Sequence, residues 1–232
     1  MKVSWFSAGV SSAVATKLSK PDKIIYIHID DQHPDTIRFV DDCEKWFGRK
    51  ILRLQHNLKN VENACRRKGA ISFFHYAPCT QFLKKETRKL WEQENPGRHT
   101  YVWGYDQKET GRMERLLCAM PEYDHEFPLK ELSKENAHAL LRAAGISRPK
   151  MYDLGYPNNN CVGCIKGYRG YWNKIRKDFP EVFLRRAEME RKFGHSIIKG
   201  VFLDELKEGA GKCEPILEEC GIACEMKVQE IC

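Results

Sequence analysis

The chain has 232 residues, 31% charged and 42% hydrophobic, and its 39 Lys and Arg against 32 Asp and Glu leave a net charge of +7. That size and balance suit an α/β domain with an appendage and exclude a disordered polyelectrolyte. They admit polyanionic or nucleotide ligands without establishing nucleic-acid binding, and no stretch is long enough to span a bilayer.

Val3 to Phe6 is short, apolar and β-prone, and predicts a buried first strand. Ser7, Ala8, Gly9, Val10, Ser11 and Ser12 form a turn of mostly small residues, and a helix is expected over about Ser11 to Ser19. Such a turn lets backbone N–H groups approach a ligand, and the helix aims its unpaired N–H groups and positive dipole end at the same spot. With the three hydroxyls this makes an anion cradle; the plainer alternative is a turn that only caps itself with Ser12. The turn lacks the Lys of G-x-x-x-x-G-K-S/T and does not fit G-x-G-x-x-G. Met1-Lys2 followed by Val3 to Ala15 imitates a signal peptide, but four serines and a Gly interrupt the run, so it reads as mature sequence.

Lys23 to Ile29 predicts a second strand ending in a polar loop, Asp30 to Thr36, at the sheet edge where doubly wound folds bind ligands. A helix over 35–47 and a third strand over 51–54 follow. Strand, helix, strand, helix, strand indicates a doubly wound, mostly parallel sheet with helices on both faces. Helices are expected over 60–69 and 79–94, joined by an apolar stretch, 71–76. Asn95-Pro96-Gly97 is a turn and 101–104 the next buried strand. Tyr105 to Arg115 is rich in charge, and Ser133 caps a helix to Ala144 that Gly145 stops. Residues 149–160 read as loop. A boundary near Pro149 separates a nucleotide-binding domain, 1–150, from a cysteine-bearing C-terminal region, 151–232.

Ten cysteines without a secretion signal read as thiols or metal ligands, which places the chain in the cytoplasm. Cys161-Val162-Gly163-Cys164 is a C-x-x-C whose Gly permits a tight turn; the pair can ligate zinc, hold an iron–sulfur cluster or do dithiol chemistry. Cys79 precedes a helix carrying Lys84 and Lys85, where a thiol is expected to have a depressed pKa. Cys220 and Cys224 supply another pair, and with Cys213 and Cys232 seven of the ten could converge. Zinc or a cubane cluster would each want four of them.

The turn at Ser7 to Ser12 resembles the S-G-G-x-D/S-S loop of the PP-loop, or adenine nucleotide α-hydrolase-like, superfamily, with a Rossmann-like fold. Ala8 stands where the first Gly usually is, and Ser11 replaces the Asp of many ATP-cleaving members. The order of anion loop, cysteine before a Lys-bearing helix, then C-x-x-C is similar to the phosphoadenosine phosphosulfate (PAPS) and adenosine phosphosulfate (APS) reductases. Here Cys79 and Cys161 lie 82 positions apart (79 to 161), and Thr80 replaces the second Cys of the family's pair. The resemblance implies Cys79, Cys161 and Cys164 as ligands of a 4Fe-4S cluster, with Cys224 as a candidate fourth. It implies Lys84 as a catalytic cation and Cys220, in a Glu-Cys-Gly-Ile tail, as the attacking thiolate. It also implies Asp30, Thr36, Gly104 and Arg112 as nucleotide contacts. Asp106 stands where the family has an Arg for the anionic substrate.

Lys166 to Lys177 mixes cations with Tyr168, Tyr171 and Trp172. An amphipathic helix with solvated cations and aromatics against the sheet is the favoured reading, and it leaves room for tRNA or DNA. Three functions follow as expectations. The first is a sulfonucleotide reductase-like enzyme using PAPS or APS and a thioredoxin-like thiol donor. The second is an adenylating sulfurtransferase that uses ATP, with Mg, on a nucleic acid. The third is a zinc-bound nucleic-acid adaptor without catalysis.

Overall fold

The computed structural model describes residues 1–71, 77–218, 228 and 231. Its sheet has five parallel strands, β1 (Lys2–Phe6), β2 (Lys23–His28), β3 (Ile51–Gln55), β4 (Thr100–Val102) and β5 (Asp124–Glu126), in the order β3-β2-β1-β4-β5. The expected α/β class with helices on both faces is therefore what the chain adopts. The order reverses between β1 and β4, and open parallel sheets bind ligands at the carboxyl ends of strands at such a switch point.

The strands alternate as a two-residue period requires. Phe6, Ile24, Tyr26 and Val102 face a layer formed by α1 (Val10–Ser19), α2 (Asp35–Phe47) and α6 (Lys134–Ala143). Val3, Ile25 and Tyr101 face the opposite layer, with Trp91 of α4 (Thr87–Glu94) and Leu116 of α5 (Thr110–Ala119). Helix α3 (Val61–Lys68) starts where the Asn60 side chain accepts the Asn63 N–H at 2.9 Å. Ahead of α4 the chain winds as a π-helix over Thr80–Glu86, not as the uniform α-helix expected for 79–94. Strand β5 was not expected, because Asp-His-Glu at a sheet edge carries no apolar alternation.

Residues 149–160 are not all loop: α7 (Lys150–Asp153) forms there, its first N–H held by Asp35 Oδ2 at 2.8 Å. Beyond it come α8 (Arg169–Asp178) and α9 (Pro180–Phe193). Met151, Tyr156, Trp172, Ile175, Leu203 and Leu206 make an apolar cluster separate from the sheet's. Trp172 and Tyr171 are buried there, so these two aromatics of the basic segment face this cluster rather than the sheet, while Tyr168 is exposed. Where the boundary near Pro149 was drawn, Met151 belongs to this cluster and Tyr152 to the sheet's.

The two clusters are joined by a buried ion pair. Arg186 of α9, fully buried, donates from its guanidinium to Asp31 Oδ1 at the end of β2, and from Nε to Gly163 O at 3.2 Å. Asp31 Oδ2 accepts the Val61 N–H that opens α3 at 2.6 Å, and its carbonyl accepts the Val162 N–H at 2.7 Å. Asp31 thus ties a helix start and Arg186 through its carboxylate and the C-x-x-C turn through its carbonyl.

His138 of α6 is buried, and both its ring nitrogens lack a hydrogen-bond partner among the described residues. Its ring stands edge-on to Tyr152 at 4.5 Å. Burial, then the nearby Arg148 and Lys134, push its pKa down to about 3. A histidine whose folded pKa lies below its unfolded value contributes stability above the unfolded value and loses it as pH falls. Acidifying to about pH 5 should therefore cost about 2 kcal/mol through this residue alone. Denaturant melts of wild type and His138→Leu check this: the variant's stability should fall less between neutral and acidic pH, and parallel curves would refute the assignment.

Candidate functional site

The turn after β1 folds onto itself. The Ser7 N–H donates to Ser12 Oγ at 3.0 Å, and Ala13 N–H closes the first helical turn on Gly9 O. Ala8 has φ +57, in the left-handed region that costs a residue with a Cβ about 1 kcal/mol and that glycine adopts freely. Two residues not singled out from the sequence hold this loop from behind. Asn159 donates from Nδ2 to Ala8 O at 2.7 Å and meets the buried Thr36 hydroxyl, and the Tyr152 hydroxyl accepts the Val10 N–H at 3.4 Å. Both fall in the stretch read as loop, and only the run Asn158-Asn159-Asn160 marks it in the sequence.

Above the loop, at the carboxyl ends of β1 and β4, lies a cavity of about 640 Å³. That falls within the range of roughly 300–1,000 Å³ for small-molecule sites. Of the residues expected to bind nucleotide, Ser7, Gly9, Ser11, Ser12, Gly104 and Arg112 line it. Ala8, Val10 and Thr36 are buried behind the loop as its support. Asp30 is not on the cavity wall: it is exposed and accepts from Gln55 Nε2 at 2.7 Å, with His28 Nε2 at 3.5 Å. Space over Gly9 is open, since a Cβ built there would meet only Tyr152 Oη at 3.5 Å and Ser7 Oγ at 3.7 Å.

Seven cations line the cavity (Lys84, Lys85, Arg88, Lys108, Arg112, Lys134, Lys166) against two carboxylates, Asp106 and Glu109. The excess favours an anionic ligand. Both carboxylates are engaged locally. Asp106 caps the short 3₁₀ turn Gln107–Glu109, accepting the Lys108 N–H at 2.8 Å, and Glu109 pairs with Arg112, whose guanidinium lies over the Tyr105 ring. Burial pulls the Lys134 ammonium below the usual lysine range, and Asp106 and Glu109 pull it back up. Asp106 thus stands in the wall as a cap with a lysine beside it, rather than as a bare negative charge.

The cysteines gather on the other side. Cys161 lines the cavity, and both Cys79 and Cys161 pack against Ile29, Ala64 and Leu83. Cys79 and Cys164 lie close enough for each other's charge to act, as do Cys161 and Cys164. The C-x-x-C turn is bound to Tyr171, whose hydroxyl accepts the Cys164 N–H at 2.9 Å and donates to Cys161 O at 3.0 Å. Gly163 has φ +71 and leaves no room for a side chain, since a Cβ would sit 2.5 Å from Val182 Cγ1.

The depressed thiol expected at Cys79 is not found: burial pushes it up, and Lys84 and Lys166 pull it back only in part. Burial likewise pushes Cys161 up to about 12, with Lys84 the main opposing charge. Among the described residues no three His, Cys, Asp or Glu side chains converge closely enough to hold a single metal ion. Cys220 and Cys224 lie outside the described residues. No helix among the described residues is long and apolar enough to cross a membrane.

Two curated proteins are similar in sequence to this chain. An uncharacterized protein of Methanocaldococcus jannaschii is 23% identical over 210 residues, covering 84% of this chain and 43% of that protein. Adenosine 5'-phosphosulfate reductase of Pseudomonas aeruginosa is 22% identical over 166 residues, covering 66% of this chain and 61% of the enzyme. The chain therefore spans under two thirds of either relative. The family described as "Phosphoadenosine phosphosulfate reductase domain" matches residues 2–168. That span holds the serine loop, Cys79, Lys84, Gly104, Arg112 and the C-x-x-C, and the chain belongs to this family.

Proposed function

We propose that the chain binds an adenine nucleotide with its anionic tail on Ser7 to Ser12 and performs thiol-dependent sulfur chemistry on a sulfonucleotide, APS or PAPS. The observation that carries this reading is a single cation-rich cavity with the serine loop on one wall and Lys84 and Cys161 on another. A thiolate attacks the sulfonate sulfur, an S–S bond forms, the sulfur–oxygen bond to phosphate breaks, and the nucleoside phosphate leaves with that electron pair. An external dithiol, of thioredoxin type, then attacks the S-sulfocysteine, sulfite departs, and the carrier ends as its disulfide. Cys220 is the proposed attacking thiolate. Lys84 and Lys166 would stabilise charge that develops on the leaving phosphate oxygen.

Cys79, Cys161 and Cys164 are the residues that would hold an iron–sulfur cluster. They are soft donors on two segments, of the type such a group takes; Cys79 and Cys161 rest on a common apolar floor, and Cys164 packs against the C-terminal cluster. A cluster held there would supply an electron-transfer or electrostatic centre beside the nucleotide's charged end.

Sulfite release from APS and PAPS with a thiol reductant tests the reading, together with calorimetric binding of APS, PAPS and ATP. The expected result is sulfite from one sulfonucleotide, with Lys84→Ala lowering kcat/KM by about 100-fold. ATP cleaved to AMP and pyrophosphate without sulfite formation would replace it with the second reading, ATP-dependent sulfur transfer. Asp106 in the cavity wall, where the resembled reductases carry an Arg for the anionic substrate, is the observation that favours that alternative.

A further inference from the structure

We propose that the chain has a second ligand site, for a small organic carboxylate, in a cavity where Glu218 now sits between Arg142 and Arg148. Its occupancy does not depend on which nucleotide the first cavity takes. The cavity measures about 450 Å³ and lies against α6, the turn after it and α7. Among the described residues it shares no lining residue with the nucleotide cavity. The two are neighbours: His138, in the wall of this cavity, stands edge-on at 4.5 Å to Tyr152, in the wall of the other.

His138 is 1% exposed, and neither ring nitrogen has a hydrogen-bond partner among the described residues. Buried polar atoms are nearly always paired in folded chains, so an orphaned imidazole in a cavity wall calls for a partner that enters through the cavity. Burial, Arg148 and Lys134 keep the ring neutral near pH 7, and a neutral imidazole offers one donor and one acceptor.

The arginines select the ligand's charge. Arg142 Nη1 lies 2.6 Å from Glu218 Oε2, and Arg148 Nη1 lies 3.9 Å from Glu218 Oε1. Guanidinium groups match carboxylates in shape and charge, and here two of them meet one. Asp153 does not compete, because it pairs with Arg148 Nε at 2.8 Å and holds that side chain in the wall. Glu218 is a replaceable occupant. It lies in a stretch, 212–218, that forms no helix or strand, and Leu217 beside it is 74% exposed. Arg148 holds that stretch by a long hydrogen bond to Ile216 O, at 3.4 Å. The space open beside Glu218 admits a body of several atoms against Leu141 and Ile146. An inorganic anion would satisfy the arginines and leave His138 unpaired, whereas an organic acid with a hydroxyl serves both.

Malate, a small acid that carries a hydroxyl, is the probe, with sulfate at equal ionic strength as the comparison. Calorimetric titration of the full chain should show malate binding about 10-fold tighter in Glu218→Gln than in wild type, because the tethered carboxylate no longer competes. Arg142→Gln should weaken it by about 10-fold or more. That side chain is 71% exposed, so its replacement leaves the fold intact. In a histidine-labelled sample the His138 ring signals, assigned by their loss in His138→Leu, should shift with malate and not with sulfate. No binding to Glu218→Gln at millimolar malate overturns the inference. So does an affinity that neither substitution changes, sulfate bound as tightly as malate, or a His138 ring that malate leaves unmoved.

Discussion

Replacing Arg186 with methionine is expected to destabilise the chain by about 3–5 kcal/mol, among the largest effects of any single substitution in it. The guanidinium is fully buried and the Asp31 side chain nearly so. Removing the cation therefore leaves a carboxylate without its charge partner in a site that water reaches poorly. Part of the loss is held back, because the Val61 N–H still donates to Asp31. Gly163 O loses its donor as well, so the C-x-x-C turn should loosen and the cysteine floor with it. In a chain of this size the shift in Tm should be roughly 10 °C. Asp31→Leu combined with Arg186→Met should recover part of the loss, since an apolar pair of similar volume leaves no orphaned charge. Urea melts of the single and double variants decide it: a cost under about 1 kcal/mol for Arg186→Met would show the pair to be hydrated.

Why this pair escaped the sequence is physical. Arg186 stands in a run of cations on α9, and such runs are ordinarily solvated; its partner lies 155 positions earlier. The same holds for Tyr152 and Asn159, which support the serine loop from a stretch whose polar, Pro-bearing composition reads as loop. What the sequence does carry is local. The strand–turn–helix at Val3 to Ser19, the helix over 35–47 and the cap at Ser133 follow from periodicity and from capping chemistry, and the observed bounds agree with them. Three-residue β5 has no such pattern to detect. At the site, the serine loop, Lys84 and Cys161 were legible because motif spacing survives in linear order. Asp30 was not, because a strand-end carboxylate can turn toward the neighbouring strand as easily as toward a ligand, and here Gln55 takes it.

Gly104→Ala is expected to damage both stability and nucleotide binding, although Gly104 lies far in sequence from the serine loop. A Cβ at this position would sit 2.7 Å from both Ser12 Cα and Ser12 N and 2.8 Å from the Ser11 carbonyl carbon. These are backbone atoms at the start of α1, so no rotamer change relieves the overlap. Either the segment after β4 or the first turn of α1 must retreat, at a cost of about 1–3 kcal/mol for overpacking. The first turn of α1 carries the N–H groups and hydroxyls aimed at the anion, and a displacement of this kind can cost about 100-fold where alignment matters. Gly9→Ala is the informative contrast. Its Cβ would make only ordinary contacts, at 3.5 Å and 3.7 Å, and its φ of −98 suits any residue. It should therefore leave the melting transition nearly unchanged while its methyl group obstructs the anion's approach. Calorimetric titration of the nucleotide, beside a thermal melt, checks both. If Gly104→Ala binds nucleotide as wild type does, the first turn of α1 is not the anion's seat.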